Sequence, residues 1–380
     1  MKVKECAMLT SRRGLMKTGA AVAGAVAAGL SARAGSPSAA AIGVPLLHVT
    51  DLFHPHGDPD DHFDLAVAYA LARRGSFDLR GVVIDYPPEF RAGDPAVAAV
   101  AQMNRLTGLA VPVAIGTSLK LKSRQDALPN APASETAAVR FIHAQLRAAE
   151  RPAALVCVGN AADVAVAALR DPELFKTKCA GVYLNSGSAH DNPSNPKQLE
   201  FNVRLDAAAY AAMFDLPCPL FWFPCWHTTE QRQSGPDGSF YWLPHREALA
   251  GLSAGLANYF AYLFDKSANP KWLRAMTTMP PEPLWQTILS GKRGMWSTAS
   301  QFAAAALVVT KDGEIAPARD ADDAAVFRRV PVQVSCADDG RTTWTRSEQE
   351  TGRWMLSITD AARYPAAMTR AVSELFHALR

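Results

Sequence analysis

Six short apolar runs, separated by stretches of helix length, constrain the fold of this chain more than any other feature. They are "VPLLHVTD" (44–51), "LRGVVID" (79–85), "VPVAIG" (111–116), "AALVCVG" (153–159), "CAGVYLNSG" (179–187) and "CPLFWFP" (218–224). Between them, helices are predicted near 62–74, 94–107, 135–149 and 161–170. Strands apolar at consecutive positions are buried on both faces, and strand–helix alternation builds a mostly parallel sheet covered by helices. The expected class is α/β, with a mostly parallel central sheet flanked by helices in an open, Rossmann-like arrangement. The segment 232–280 reads as mainly helical, with Pro and aromatic residues at its borders, and is expected to form a cap or insertion. "RRVPVQVSCADDGRTTWTR" (328–346) predicts a small C-terminal β-hairpin turned at Asp338-Asp339-Gly340. A final helix is predicted over roughly 360–379.

The N-terminal residues follow a different pattern. Ser11-Arg12-Arg13-Gly14-Leu15-Met16-Lys17 precedes a mild Ala/Gly run, with small residues around Ala34 and Ala39. This is the twin-arginine export pattern, and the apolar run is too short and too mild for a stable membrane span. Residues 1–41 are therefore expected to be an export signal and 42–380 a single domain, periplasmic or secreted. Cys6 is too early to mark a lipoprotein cleavage site. Residues 1–34 carry six basic residues and one acid, which leaves 33 basic against 35 acidic residues, a net of −2, in the remainder. A basic nucleic-acid face is not expected, nor membrane association once the signal is removed. Five widely spaced cysteines without a CxxC allow one or two disulfides at most.

One stretch concentrates charge. "TDLFHPHGDPDDHFDLAVAYALA" (50–72) holds Asp51, Asp58, Asp60, Asp61 and Asp64 between a strand end and the start of a helix. Capping and the helix dipole account for one or two acids at such a place. Carboxylates converging on a strand end are hard oxygen ligands of the kind that hold Ca²⁺ or Mg²⁺. In open α/β sheets, ligands bind at the carboxyl ends of strands.

The "TD…GDPDD…LAVAYALA" pattern resembles the N-terminal signature of the nucleoside hydrolases (inosine-uridine preferring). "ALVCVGNAADVAVAAL" (154–169) and "GVYLNSGSAHDNPSNPKQLEFNVRLDAAAYAAMF" (181–214) resemble two further segments of that family, in the family order. "VPVAIG" fits its third strand. The resemblance implies a Ca²⁺-dependent hydrolase that cleaves the N-glycosidic bond of a ribonucleoside or related riboside with a metal-activated water. It implies Asp51 as calcium ligand and base for that water, Asp61 and Asp58 as further metal residues, and the Val158 carbonyl as another ligand. Asp60, Asn195, Glu200 and Asn202 would hold sugar hydroxyls. The partner would be a small-molecule nucleoside or sugar, and related enzymes are often dimers or tetramers.

The pattern departs from the family in two places. A late His-Asp pair ahead of an apolar helix is replaced in "GMWSTASQFAAAALVV" by Trp296, Ser297 and Thr298, so Ser297 or Thr298 would stand in for the metal-binding aspartate. The usual ribose-binding Asn after the second strand is not evident in "VVIDYPPEF". His54, His56 and His227 are candidates for the missing leaving-group acid. Trp296 could stack on substrate, as could Trp222 and Trp226, against the alternative of core packing. Two other readings follow: a non-catalytic or differently specific carbohydrate-binding relative, and a zinc amidohydrolase built on His54, His56, His190 and His227.

Overall fold

The computed structural model describes residues 43–54, 59–86, 94–190, 198–228, 234–265, 276–320 and 323–379, with the backbone alone at 54, 265 and 320. The predicted apolar runs form strands β1 (Val44–Thr50), β2 (Phe77–Ile84), β3 (Val113–Ile115), β4 (Ala153–Cys157), β5 (Cys179–Asn185) and β6 (Leu220–Phe223). Three C-terminal strands, β7 (Phe327–Cys336), β8 (Thr342–Arg346) and β9 (Arg353–Ile358), complete a nine-stranded sheet. Its order is β8-β7-β9-β6-β5-β4-β1-β2-β3. Every pair from β9 to β3 is parallel, whereas β7 runs antiparallel to both β8 and β9.

The alternation of side chains along a strand explains why the runs are apolar throughout. On β1, Leu46 enters the hydrophobic cluster on one face, while Leu47 and Val49 enter the cluster on the other. On β4, Ala154 and Val156 face the first cluster, and Leu155 and Cys157 the second. Helices α1 (Asp60–Arg73) and α2 (Val97–Thr107) contribute to the first cluster, and α3 (Ala137–Ala148) and α4 (Ala162–Arg170) to the second. The chain proceeds from β1 to β2 and β3 on one side, then crosses back to β4 on the other side of β1. That reversal opens the crevice between the C-terminal ends of β1 and β4.

The small C-terminal hairpin turns at Asp338-Asp339-Gly340 as predicted, and β9 pairs with β6 and joins it to the main sheet. One expectation needs correction. The described part of the segment 232–280 is only partly helical: Gly235 and Gly238 bracket a turn, and Tyr241–Pro244 is a strand paired with Lys292–Met295. Helices α8 (His245–Leu249) and α9 (Ala254–Asp265) follow, after α5 (Pro172–Lys178), α6 (Phe201–Leu205) and α7 (Ala207–Met213) earlier in the chain. Later come α10 (Glu282–Leu289), α11 (Thr298–Ala304) and α12 (Tyr364–Ala378). The five cysteines among the described residues are all free thiols, within the one or two disulfides the sequence allows at most. The described residues belong to one compact unit, 41–380, and none of their helices is long and apolar enough to cross a membrane.

Candidate active site

The site is assembled by backbone hydrogen bonds that extend the sheet past its strand ends. Val158 N donates to Val49 O (2.9 Å) and Asp85 N to Thr50 O (3.0 Å), so Asp51, Asp85 and Val158-Gly159 lie side by side. A Cβ at Gly159 would run into the Asp85 carboxylate and lie 3.0 Å from Asp51 Cβ. Glycine is thus required here by the close approach of two acids. Asp85 also accepts a hydrogen bond from Asn160 N. It occupies the strand end where the sequence showed no asparagine, and its placement comes only from the register of β2 against β1.

Helix α1 brings the other acids to this crevice. Pro59 caps it without a side-chain hydrogen bond, so neither Asp60 nor Asp61 is used as a cap. From Asp61 to Leu71 every residue is buried, which explains why the helix is apolar on nearly all sides. Phe63, fully buried, packs tilted against Phe260 on α9, with ring centroids 4.5 Å apart, and against Phe376 on α12. Burying such a side chain contributes roughly 1.5–3 kcal/mol, which helps hold the acidic first turn inside the protein.

The electrostatics are unfavourable without a cation. Thr50 Oγ1 donates to Asp61 Oδ1 at 2.7 Å. Burial, then the neighbouring charges of Asp51, Asp60 and Asp64, raise the Asp61 carboxyl well above its ordinary range. Two like charges about 4 Å apart repel by about 4 kcal/mol at an effective dielectric constant near 20. Asp64, which had no assigned chemistry in the sequence, is fully buried one turn along α1. Its Oδ1 accepts from Thr298 Oγ1 (3.3 Å) and its carboxylate from Ser297, while Oδ2 is buried with no hydrogen-bond partner. Burial pushes Asp64 up to about 7, against the lowering effect of those hydroxyls and of Arg293. Ser297, expected as a metal ligand, lies beside Asp64, so a buried carboxylate from α1 stands at the start of α11. Carboxylates of this number, with one buried oxygen left open, are a donor set suited to a hard divalent cation.

The remaining candidates surround this cluster. Asn202 Nδ2 donates to Val158 O (3.0 Å) and Asn185 O (3.3 Å), placing the start of α6 over the ends of β4 and β5. The Val158 carbonyl keeps a second lone pair for a ligand. Glu200, buried, is the N-cap of α6: its carboxylate accepts from Asn202 N, Val203 N and Gly187 N. Trp222 is a core residue, fully buried with Nε1 on Ser186 O (2.8 Å). Trp226 and Trp296 are half-buried and meet edge to face at 5.6 Å, with Phe240 against both. His227 lies in a group with His190 and Asp237. His56, Asp58 and Asn195 lie outside the described residues, as does the side chain of His54.

The profile of the family described as inosine-uridine preferring nucleoside hydrolase matches residues 57–367. Asp51 precedes the matched span, so its place rests on the geometry above. The purine-preferring ribonucleoside hydrolase from Gardnerella vaginalis superposes with a TM-score of 0.53 at 16% identity, covering 88% of this chain and 99% of that one. The type III effector protein XopQ, complexed with adenosine diphosphate ribose, superposes with a TM-score of 0.53 at 16% identity, covering 89% and 95%. At such identities the likeness concerns the fold. Among curated proteins none matches in sequence.

Proposed function

Because this chain belongs to the inosine-uridine preferring nucleoside hydrolase family, we propose that it hydrolyses the N-glycosidic bond of a ribonucleoside or related riboside with Ca²⁺ held at the end of β1. The chain is a hydrolase of this type, with a small-molecule nucleoside substrate, and the zinc amidohydrolase reading is set aside by the family match. The observation that carries the calcium assignment is the burial of Asp51, Asp61 and Asp64 around one strand end, with an open oxygen on Asp64.

Asp51, Asp61, Asp64 and the Val158 carbonyl would hold the ion, with Asp58, outside the described residues, as a further metal residue. A bound Ca²⁺ would supply a Lewis acid that lowers the pKa of the attacking water. Asp51, at the tip of β1, takes the proton from that water. Asp60, in the first turn of α1, and Asn202, at the start of α6, hold sugar hydroxyls, with Asn195 and Glu200 contributing to the same subsite. The transition state carries positive charge on the sugar, and the fixed carboxylates around it stabilise that charge without reorganising. Trp226 and Trp296 offer aromatic faces or edges for the leaving group.

A second reading, binding of a riboside without turnover, is favoured by Trp296-Ser297 standing where the family has a His-Asp pair. Export through the twin-arginine pathway is part of the same proposal and rests on residues 11–17. Chromatographic analysis of products from a panel of purine and pyrimidine nucleosides decides between the readings. Free base and free ribose support hydrolysis. Bound but intact nucleoside supports the second reading. Fractionation of expressing cells, with N-terminal sequencing of the processed protein, tests export.

A further inference from the structure

Past the ends of β5 and β6 the chain continues as a short parallel ladder. Ser188 bridges Trp226, Ala189 N donates to Trp226 O (3.0 Å) and His190 N donates to His227 O (3.1 Å). This register sets the two imidazoles together, with ring centroids 4.4 Å apart. The turn between Gly235 and Gly238 packs directly on His227: a Cβ at either glycine would run into its ring or backbone. The turn thereby presents Asp237, 5% exposed, to both rings. Asp237 Oδ2 is 2.7 Å from His190 Nε2 and 3.8 Å from His227 Nδ1, and the three ligating atoms lie within 4.8 Å of one another.

We propose that His190, His227 and Asp237 form a second metal site, separate from the aspartates of β1 and α1, that takes a zinc-type divalent transition ion. Two imidazoles and one carboxylate are the three-ligand set of open zinc sites, whereas Ca²⁺ takes oxygen donors almost exclusively. Tetrahedral coordination at about 2.0–2.1 Å separates ligand atoms by about 3.3–3.4 Å, within reach of small side-chain adjustments here. His190 is 39% exposed, which gives an ion access and leaves a fourth position to water. The surroundings hold the ligands in place. Arg346 lies 3.6 Å from the other Asp237 oxygen, and Trp344 packs 5.3 Å from the His190 ring while its Nε1 donates to Ala189 O (2.7 Å). Such outer contacts orient ligands and tune their affinity. An ion pair between Asp237 and His190 would need only one histidine, and two imidazolium rings at this spacing would repel. A cation shared by all three satisfies the group.

The test is titration of full-length, chelator-treated protein with Zn²⁺, and with Co²⁺ monitored by visible absorption, in the wild type and in His190→Ala, Asp237→Asn and Asp51→Asn. Wild type should bind one equivalent of Zn²⁺, and the Co²⁺ form should show tetrahedral-type bands. His190→Ala and Asp237→Asn should each lower Zn²⁺ affinity at least about 100-fold, with thermal melts confirming that they fold. His190→Gln, which keeps the side chain's bulk, should lose the ion as His190→Ala does. Asp51→Asn should keep the Zn²⁺ equivalent. No Zn²⁺ binding by the wild type would overturn the proposal. So would loss of the ion in Asp51→Asn with retention in His190→Ala, which would place it among the aspartates.

Discussion

Thr298 Oγ1 donates to Asp64 Oδ1 at 3.3 Å, joining the start of α11 to the acidic first turns of α1. Tyr241 shares a hydrogen bond with the same hydroxyl at 3.1 Å, so Asp64 is held in a defined rotamer, and Thr298, Ser297 and Arg293 offset only part of the cost of burying its charge. A buried carboxylate kept in this state destabilises the empty protein and stabilises the loaded one. Asp64→Asn should leave the metal-free protein as stable as wild type or more so. The same variant should shrink the rise in Tm on adding Ca²⁺. Differential scanning calorimetry with and without Ca²⁺ checks this, and an undiminished Ca²⁺ shift in the variant would show that Asp64 does not hold the ion.

Gly159 tests how closely Asp51 and Asp85 must approach. Gly159→Ala would press a methyl group into the Asp85 carboxylate, and turnover should fall by more than about 100-fold, the cost of a displacement near 1 Å at the reacting centre. Gly75→Ala is the control. Gly75 has φ +78° and open space around it, so the change should cost about 1 kcal/mol of stability or somewhat more and leave kcat unchanged. Steady-state kinetics and melting curves of both variants make the comparison.

Asp163, buried on α4, accepts from Thr117 N at 3.2 Å through each oxygen, and burial raises it to about 7. A carboxyl with a raised folded pKa contributes its full stability below the unfolded value and loses it as pH rises through the folded value. The wild type should therefore lose stability between pH 5 and pH 8 by up to about 3 kcal/mol relative to Asp163→Asn, which keeps an acceptor but no charge. Denaturant unfolding of both proteins at the two pH values measures it. An equal gap at both would contradict the assignment.

The identity of the leaving-group acid separates by chemistry. His54→Ala, His56→Ala and His227→Ala are to be compared on a nucleoside and on p-nitrophenyl riboside, whose leaving group needs no proton. The variant lacking the acid should lose about 10²–10⁴-fold on the nucleoside and retain near wild-type rates on the activated riboside. Equal loss on both substrates assigns a structural or positioning role.

The central sheet was legible because parallel strands buried on both faces must be mostly apolar, and β1 to β6 are, with His48 and Thr50 on β1, Asp78 and Arg80 on β2 and Asn185 on β5 as polar exceptions. The β9 strand was not. "RWMLSI" begins with a charge and acquires its place only by pairing with β6 and β7, which are distant in sequence. The cluster around Asp51 and Asp61 could be read from charge density at a strand end. Asp64 could not, since a polar residue one turn into a helix reads as solvated until α9 and α12 are known to cover that helix completely. Likewise, His190, His227 and Asp237 stand far apart in the chain, and only the register beyond β5 and β6 joins the histidines.

The central claim is that Asp51 and Asp61 hold the ion on which riboside hydrolysis depends. Measuring Ca²⁺ retention and nucleoside hydrolysis together in Asp51→Ala and Asp61→Ala, each shown by circular dichroism to be folded, tests it most directly. Loss of both the ion and turnover in each variant is the predicted result. Full activity in either variant would contradict the claim.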